Sequence, residues 1–390
     1  MHTIAPVSSS SVSDDRVRSF GILSTFPPTS CGIATFSAAL AAGLIGEGAS
    51  VDVIRCGPLP EVEDVLVVAR LAEHGGPDDR RVTDALNRND LVIVQHEYGL
   101  YDGPDGESVI ELIDSIDSPV VVVAHTVLTE PTANQQRVLE AVCRRAAAVV
   151  VMTETARTRL LGGYDVDAAK LHVIPHGAAT PLAAPSASQR RKGSPPRLLT
   201  WGLLGPGKGI EWAIDAMAEL DDIEPRPEYV IAGATHPKVR ERNGEAYREM
   251  LMERATTSAV DITFDDTYRD LLSLTELIQS ADLVVLPYDS RDQVTSGVLV
   301  DAVAAGRPVV STAFPHAVEL LRTGAGVVVP QRDPVALGRA IRSVLTDASL
   351  AASMEAEARR LAPELAWSAV ARRYCELAEA VVASCRPVAS

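Results

Sequence analysis

The feature that most constrains this chain is a rhythm: short apolar runs of strand length alternate with longer helical stretches from about residue 19 to residue 383. Such alternation is the pattern of parallel α/β domains, in which each crossover helix returns the chain to the same end of a sheet. In the first half the pattern predicts strands over Ser19–Leu23, Ser50–Arg55, Leu91–Gln95, Val120–Ala124, Ala148–Met152 and Leu171–Ile174. These runs are rich in Val and Ile without strict alternation, as strands covered on both faces should be. Helices are predicted over Thr35–Ile45, Gln135–Ala147 and Thr155–Leu161. The second half repeats the rhythm, with strands over Arg197–Trp201, Tyr229–Ala232, Ile262–Phe264, Leu283–Leu286, Pro308–Ser311 and Gly326–Val329. Its helices are predicted over Ile210–Leu220, Leu271–Ser280, Gly297–Ala305 and Pro334–Leu345, with a last one over Trp367–Ala383 after Pro363.

Residues Pro181–Pro196 (PLAAPSASQRRKGSPP) interrupt the rhythm with Pro, Ser, Ala and a basic cluster, which reads as an interdomain linker. At 390 residues the chain is longer than one core usually supports. The expected organisation is a disordered leader over 1–17, one α/β domain over 18–180, the linker over 181–196 and a second α/β domain over 197–365. The opening MHTIAPVSSSSVSDD has neither the basic nor the apolar region of a secretory signal, and no run approaches the roughly 18 apolar residues of a membrane helix. Five cysteines, odd in number and without a C-x-x-C pair, support neither a disulfide framework nor a zinc knuckle, so a reducing cytoplasm is expected. The net charge of −16 argues against a general nucleic-acid binder, which needs a basic surface.

Two segments carry chemistry. In TWGLLGPGKGIEWAIDAM a strand ends at Trp201, a glycine-rich turn runs from Gly202 to Gly209, and a helix follows. Small residues let backbone N–H groups approach an anion, the helix start adds partial positive charge, and Lys208 adds a full one. Gly209 stands where a Walker A loop needs a magnesium-binding hydroxyl, so a nucleotide hydrolase is not expected. A plain strand-to-helix turn with a surface lysine is the competing reading. In DQVTSGVLVDAVAAGRPVVS, Thr295 or Ser296 is placed to cap a helix that begins at Gly297 and ends by Gly306. Its first N–H groups, from Ser296 through Gly297 to Val298, are expected to be free for an anion. Asp301 follows about 6–8 Å along the axis, placed to accept bonds from sugar hydroxyls or else to be an ordinary exposed helical acid.

Lys208–Gly209, the spacing from Gln293 to Asp301 and AAGRPVV at Ala304–Val310 together resemble glycosyltransferase family 4. So do CGIATF (Cys31–Phe36), HTVLTEP (His125–Pro131) and the run Glu154–Gly177, and the likeness extends from about residue 18 to 380. The resemblance implies the GT-B fold, two Rossmann-like parallel-sheet domains facing a central cleft, and retention at the anomeric carbon. It implies that the first domain binds the acceptor, the second the nucleotide-sugar donor, and that the last segment, 366–390, crosses back onto the first domain. The family's G-R-L-x-x-x-K-G loop falls on Gly202–Gly209, which makes Lys208 the holder of the donor diphosphate and leaves Leu203 in place of the arginine. The family's E-x7-E falls on Gln293 and Asp301, so Gln293 offers an amide to the sugar and Asp301 a carboxylate to the ribose. Gly202, Thr295, Ser296, Gly297 and Val298 complete the implied donor site, and Gly32 with its neighbour Ile33 meets the diphosphate from the other side. His125, at the C-terminal edge of its sheet, is the implied partner of the transferred sugar. His96, Glu97 and Tyr98 leave a neighbouring strand toward the same cleft and are the acceptor-site candidates.

Asp165-Val166-Asp167 is a D-x-D, a metal motif elsewhere, yet it sits between a predicted helix and strand and reads as a turn. No other acidic cluster has metal spacing, so no metal and no cofactor are expected. Arg137, Arg144, Arg145, Arg157 and Arg159 read as solvated helix faces rather than a contact with anionic lipid. The expected protein moves a hexose from a UDP- or GDP-sugar to a hydroxyl of a carbohydrate or other acceptor. An epimerase or phosphorylase of the same fold is the enzymatic alternative. The losses at Leu203 and Gln293 motivate another, a sugar-nucleotide-binding protein without transfer activity.

Overall fold

The computed structural model describes residues 17–29, 31–57, 64–71, 80–179, 194–267 and 269–385. The predicted leader up to residue 16, the predicted linker up to residue 193 and the last five residues lie outside the described residues. The first sheet comprises β1 (Ser19–Ser24), β2 (Ser50–Cys56), β3 (Val67–Leu71), β4 (Leu91–His96), β5 (Val120–Ala124), β6 (Ala148–Val151) and β7 (Leu171–Val173). All its strands are parallel, in the order β3-β2-β1-β4-β5-β6-β7. The second comprises β8 (Arg197–Trp201), β9 (Glu228–Ala232), β10 (Asp261–Asp265), β11 (Leu283–Leu286), β12 (Val309–Thr312) and β13 (Gly326–Val329). It too is all parallel, in the order β10-β9-β8-β11-β12-β13. The expected GT-B architecture of two Rossmann-like sheets is therefore what the chain adopts.

Strand order reverses between β1 and β4 in one sheet and between β8 and β11 in the other. At such switch points neighbouring crossovers depart to opposite faces and leave a crevice beyond the carboxyl ends of the strands. The segments after β1, β4 and β5 and those after β8 and β11 therefore hold the candidate residues. Each sheet is packed on both faces, with Val92, Val94, Val122 and Leu139 in one core of the first and Phe20, Ile22, Ile93 and Val121 in the other. Burying one such side chain stabilises by roughly 1.5–3 kcal/mol, which is why central strands are nearly unbroken aliphatic runs.

Several elements fall outside the predicted pattern. Edge strand β3 is half-exposed and carries Arg70, so it lacks the aliphatic run of the central strands. The helices Arg80–Asn87, Pro237–Asn243 and Ala246–Ala255 have too few apolar positions to announce themselves. Helix Ala348–Leu365 contains Pro363, two residues from its end, where the ring interferes with little of the helix. Helix Gly32–Gly46 starts three residues before the predicted Thr35, because Cys31 caps it with Sγ accepting from the Ala34 N–H at 3.3 Å. The helix Trp367–Cys385 lies on the first domain, burying Val370, Tyr374 and Val381 with Leu40 and Leu44. Its approach requires Gly43, where a Cβ would come within 2.8 Å of the Ala371 methyl.

Candidate active site

On the second domain, β8 runs into the turn Gly202–Gly209. Gly202, Gly207 and Gly209 all have positive φ, at 113°, 89° and 62°. A Cβ on Gly209 would lie 2.0 Å from the Pro287 carbonyl oxygen, so the turn is pressed against the segment that leaves β11. This brings the Lys208 ammonium 4.3 Å from the centroid of the Tyr288 ring, itself stacked on Phe314. No carboxylate among the described residues pairs with Lys208.

The segment after β11 is pinned from the other domain. Asp292 accepts from the Thr129 N–H at 2.9 Å and hydroxyl at 2.8 Å, and pairs with Arg159 at 3.3 Å. Val294 is buried in the first domain's core, and its carbonyl accepts from the Thr153 hydroxyl at 3.1 Å. Asp292 is therefore a tie between the two domains. Gln293, between these two anchors, turns its amide back onto the Thr295 carbonyl. The Thr295 hydroxyl is buried without a partner among the described residues.

Ser296, not Thr295, caps helix Gly297–Ala304, its hydroxyl accepting from the Leu299 N–H at 3.3 Å. The expectation of a free Ser296 N–H is corrected, because that group donates to His316 Nδ1 at 2.8 Å. Burial and the nearby His176 push His316 down to about 3, so its ring stays neutral and able to accept. Gly297 and Val298, as the first two residues of the helix, keep N–H groups without intrahelical partners. Gly297 is required because a Cβ would meet the His176 ring at 2.9 Å. One turn on, burial raises Asp301 to about 7, and among the described residues nothing hydrogen-bonds its carboxylate.

On the first domain, buried Arg55 steadies the turn before helix Gly32–Gly46 by donating to the Phe26 carbonyl at 3.2 Å and the Thr29 hydroxyl at 2.9 Å. A Cβ on Gly32 would meet nothing of the protein within 4 Å, so that glycine leaves backbone N–H groups open to close approach. His125 follows β5. Its Nε2 lies 2.6 Å from Gln95 Oε1, and its ring stands edge-on to Phe36 at 4.9 Å. A bond to a carbonyl oxygen puts the proton on Nε2 and leaves Nδ1 as an acceptor. Burial, with His176 and His96 nearby, lowers His125 to about 3, so its ring is neutral. His176, Phe36 and Trp367 complete an aromatic cluster around it.

The acceptor-site candidates differ in readiness. His96 is the last residue of β4 and is buried, with neither ring nitrogen partnered among the described residues. Its burial lowers the ring to about 4. Glu97 accepts from the Tyr98 N–H at 2.9 Å and the Thr126 hydroxyl at 2.7 Å, and burial raises its carboxyl above the usual range. Tyr98 is half-buried, its hydroxyl 3.4 Å from the Gln135 carbonyl.

The dismissed motifs behave as turns and paired faces. Asp167 caps the short turn Ala168–Lys170. Arg137, Arg144, Arg145, Arg157 and Arg159 each pair with a carboxylate: Glu107, Asp165, Asp114, Glu154 and Asp292. Among the described residues no three His, Cys, Asp or Glu side chains gather as a metal would need, and no helix is long and apolar enough to cross a membrane.

Glu319 was not anticipated from the sequence. From the second domain its carboxylate accepts from the Glu154 N–H at 2.8 Å, the Thr155 N–H at 2.9 Å and the Thr155 hydroxyl at 2.7 Å. It thus caps a first-domain helix, Glu154–Gly163, across the cleft. Glu319→Ala should weaken domain closure by about 1.5–3 kcal/mol, the worth of charge-assisted bonds. Small-angle scattering should then show a larger radius of gyration than wild type, and identical curves would show that the cap does not hold the domains together.

Residues 31–180 match the family model "Glycosyltransferase Family 4", and residues 195–347 match "Glycosyl transferases group 1". The chain is 28% identical over 273 residues to a D-inositol 3-phosphate glycosyltransferase of Kineococcus radiotolerans, a match covering 62% of this chain and 58% of that protein. It superposes on sucrose-phosphate synthase from Thermosynechococcus elongatus with a TM-score of 0.73 at 19% identity, covering 94% of this chain and all of that one. Anabaena HepE, solved in complex with UDP-glucose, gives 0.70 at 16% identity over 93% of this chain and 99% of that one.

Proposed function

We propose that this chain, which belongs to glycosyltransferase family 4, moves a hexose from a nucleotide-diphosphate sugar to a hydroxyl acceptor with retention at the anomeric carbon. The observation that supports this is that Gly32 and His125 follow the carboxyl ends of β1 and β5 while Lys208, Gly297 and Asp301 follow those of β8 and β11, with His176 set both 5.1 Å from the Phe36 ring and against Gly297. UDP-glucose bound to a protein of the same fold makes a UDP-sugar the first donor to try.

Asp301 would accept from the ribose hydroxyls, while Lys208 and the two helix starts would face the diphosphate from either side. Charge grows on the departing diphosphate as the sugar bond breaks, so donors already aimed at it lower the barrier. Neutral His125, its proton held on Nε2 by Gln95, would accept from a sugar hydroxyl at Nδ1. Inversion requires a base beside the acceptor. His96 is sealed in the strand, while Glu97 keeps a lone pair on each oxygen beyond its two hydrogen bonds. Retention therefore rests here on the family's chemistry, and Glu97 is the base to mutate should the product be inverted. A carboxylate nucleophile beneath the sugar is missing, because Gln293 carries an amide. Front-face attack remains, with the leaving phosphate taking the acceptor's proton.

The reaction in this reading needs no divalent metal, since the cationic groups are the protein's own. A thermal-shift panel of UDP-, GDP- and ADP-sugars identifies the donor, because a ligand of the folded state raises its stability. Proton NMR of the first product from an α-linked donor, with chelator present, should show an α linkage. A β linkage would overturn the mechanism, and activity restored only by magnesium or manganese would overturn metal independence.

A further inference from the structure

A cavity of about 310 Å³ adjoins Lys208 on the second domain, lined also by Leu203, His236, Lys238 and Arg242. Lys208, Lys238 and Arg242 bring three positive charges to it, and no described carboxylate lies within ion-pair reach of any of them. That contrasts, in a chain of net charge −16, with Arg137, Arg144, Arg145, Arg157 and Arg159, each of which pairs with a carboxylate. Like charges gathered without compensation repel one another and favour an anion. His236 adds a donor: its Nδ1 accepts from the Lys238 N–H at 3.2 Å, which leaves the ring proton on Nε2. Burial and the fields of Lys238 and Lys208 hold this ring below the usual imidazole range.

The cavity also faces the first domain. The Lys238 ammonium lies 3.6 Å from where a Cβ on Gly99 would stand, in the loop that carries Glu97 and Tyr98. Its field reaches the Glu97 carboxyl and offsets a small part of the rise that burial imposes there, without an ion pair between them. The cluster thus lies between the turn assigned to the donor diphosphate and the loop assigned to the acceptor.

We propose that this cavity is a phosphate seat, in which Lys238 and Arg242 extend the charge of Lys208 and hold a phosphate group of one of the two substrates. The seat rests on the transferase reading above, and it assigns binding roles to two residues outside the glycine-rich turn. Two sources supply the same chemistry, the donor's diphosphate and a phosphorylated acceptor.

Titration calorimetry on the full chain separates them. The probes are UDP and GDP, their monophosphates, and inorganic phosphate added to the nucleotide-saturated protein. The variants are Lys238→Ala, Arg242→Ala and, as a charge control, Arg226→Ala. All three positions are exposed, so the unliganded melting temperature should not move. Loss of about 10- to 100-fold in nucleoside diphosphate affinity, with the monophosphate unchanged, assigns the seat to the donor. A similar loss confined to inorganic phosphate assigns it to the acceptor. Wild-type affinities for every probe in both seat variants overturn the seat and leave the transferase reading standing. A wild-type protein that binds no nucleotide and no nucleotide sugar overturns both.

Discussion

Asp301→Asn is expected to make the free protein more stable above pH 7 and, at the same time, to weaken its hold on a nucleotide sugar. Burial in the cleft raises this carboxyl to about 7, and no described residue hydrogen-bonds it. In the unfolded chain an aspartate loses its proton near pH 4, about three units lower. Between about pH 4 and pH 7 the unfolded state is therefore ionised while the folded state still holds the proton. Stability falls through that window as pH rises, and the penalty is complete above pH 7. Asparagine cannot ionise and escapes it, for a gain on the order of 2–4 kcal/mol at pH 8 that vanishes below pH 4. A residue so placed is retained against stability, which is expected of a group whose partner is a ligand. The ribose hydroxyls would supply the missing hydrogen bonds, and losing a charged acceptor for them should weaken donor binding by about 10- to 100-fold. Urea midpoints at pH 5, 6.5 and 8, measured alongside donor affinity, test both halves. If the two proteins keep the same difference at all three pH values, the buried-carboxylate account is wrong.

That trade-off was only half visible in the amino-acid sequence. Helix Gly297–Ala304 and the place of Asp301 in it followed from apolar periodicity and a capping serine, because both are local properties. The central strands were legible for a related reason: a strand covered on both faces must be aliphatic throughout, as Leu283–Leu286 is. Edge strand β3, covered on one face, carried no such mark. The glycine-rich turn was legible too, since the φ of 62° at position 209 favours glycine and only glycine leaves room there for the Pro287 carbonyl.

What the sequence did not disclose is how the two halves meet. Thr129 and Asp292 lie 163 residues apart and hydrogen-bond across the cleft. Nothing local to either residue marks it for that pairing. The same holds for Glu319 on helix Glu154–Gly163, for His316 on the Ser296 N–H, and for His176 over Gly297. His96 and His125 show a subtler limit. Both stand where a strand gives way to the crevice, but His96 is the last residue of β4 and fully buried, while His125 is one residue beyond β5 and keeps a small part of its surface open. A shift of one residue decides which ring reaches the site.

Lys208→Ala is expected to lower kcat/KM for the donor by about 10- to 100-fold while leaving the fold intact. The ammonium has no carboxylate partner among the described residues, so its removal breaks no ion pair. It loses the contact with the Tyr288 ring, worth roughly 0.5–1 kcal/mol where water still reaches the charge. The stability change should therefore stay near that figure. The functional loss is larger because a charge-assisted bond to phosphate is worth about 1.5–3 kcal/mol and, in this mechanism, strengthens as the sugar bond breaks. An interaction realised mainly in the transition state appears in kcat as well as in KM. The expected signature is thus a fall in kcat at least as large as the rise in KM. Lys208→Arg is the informative companion, since it keeps the charge but widens the head group against Tyr288 and should recover part of the rate. Wild-type donor kinetics in Lys208→Ala would remove Lys208 from the site. A variant with normal kcat and only a raised KM would keep it as a binding group and shift the burden of stabilising the leaving diphosphate to the helix starts at Gly32 and Gly297.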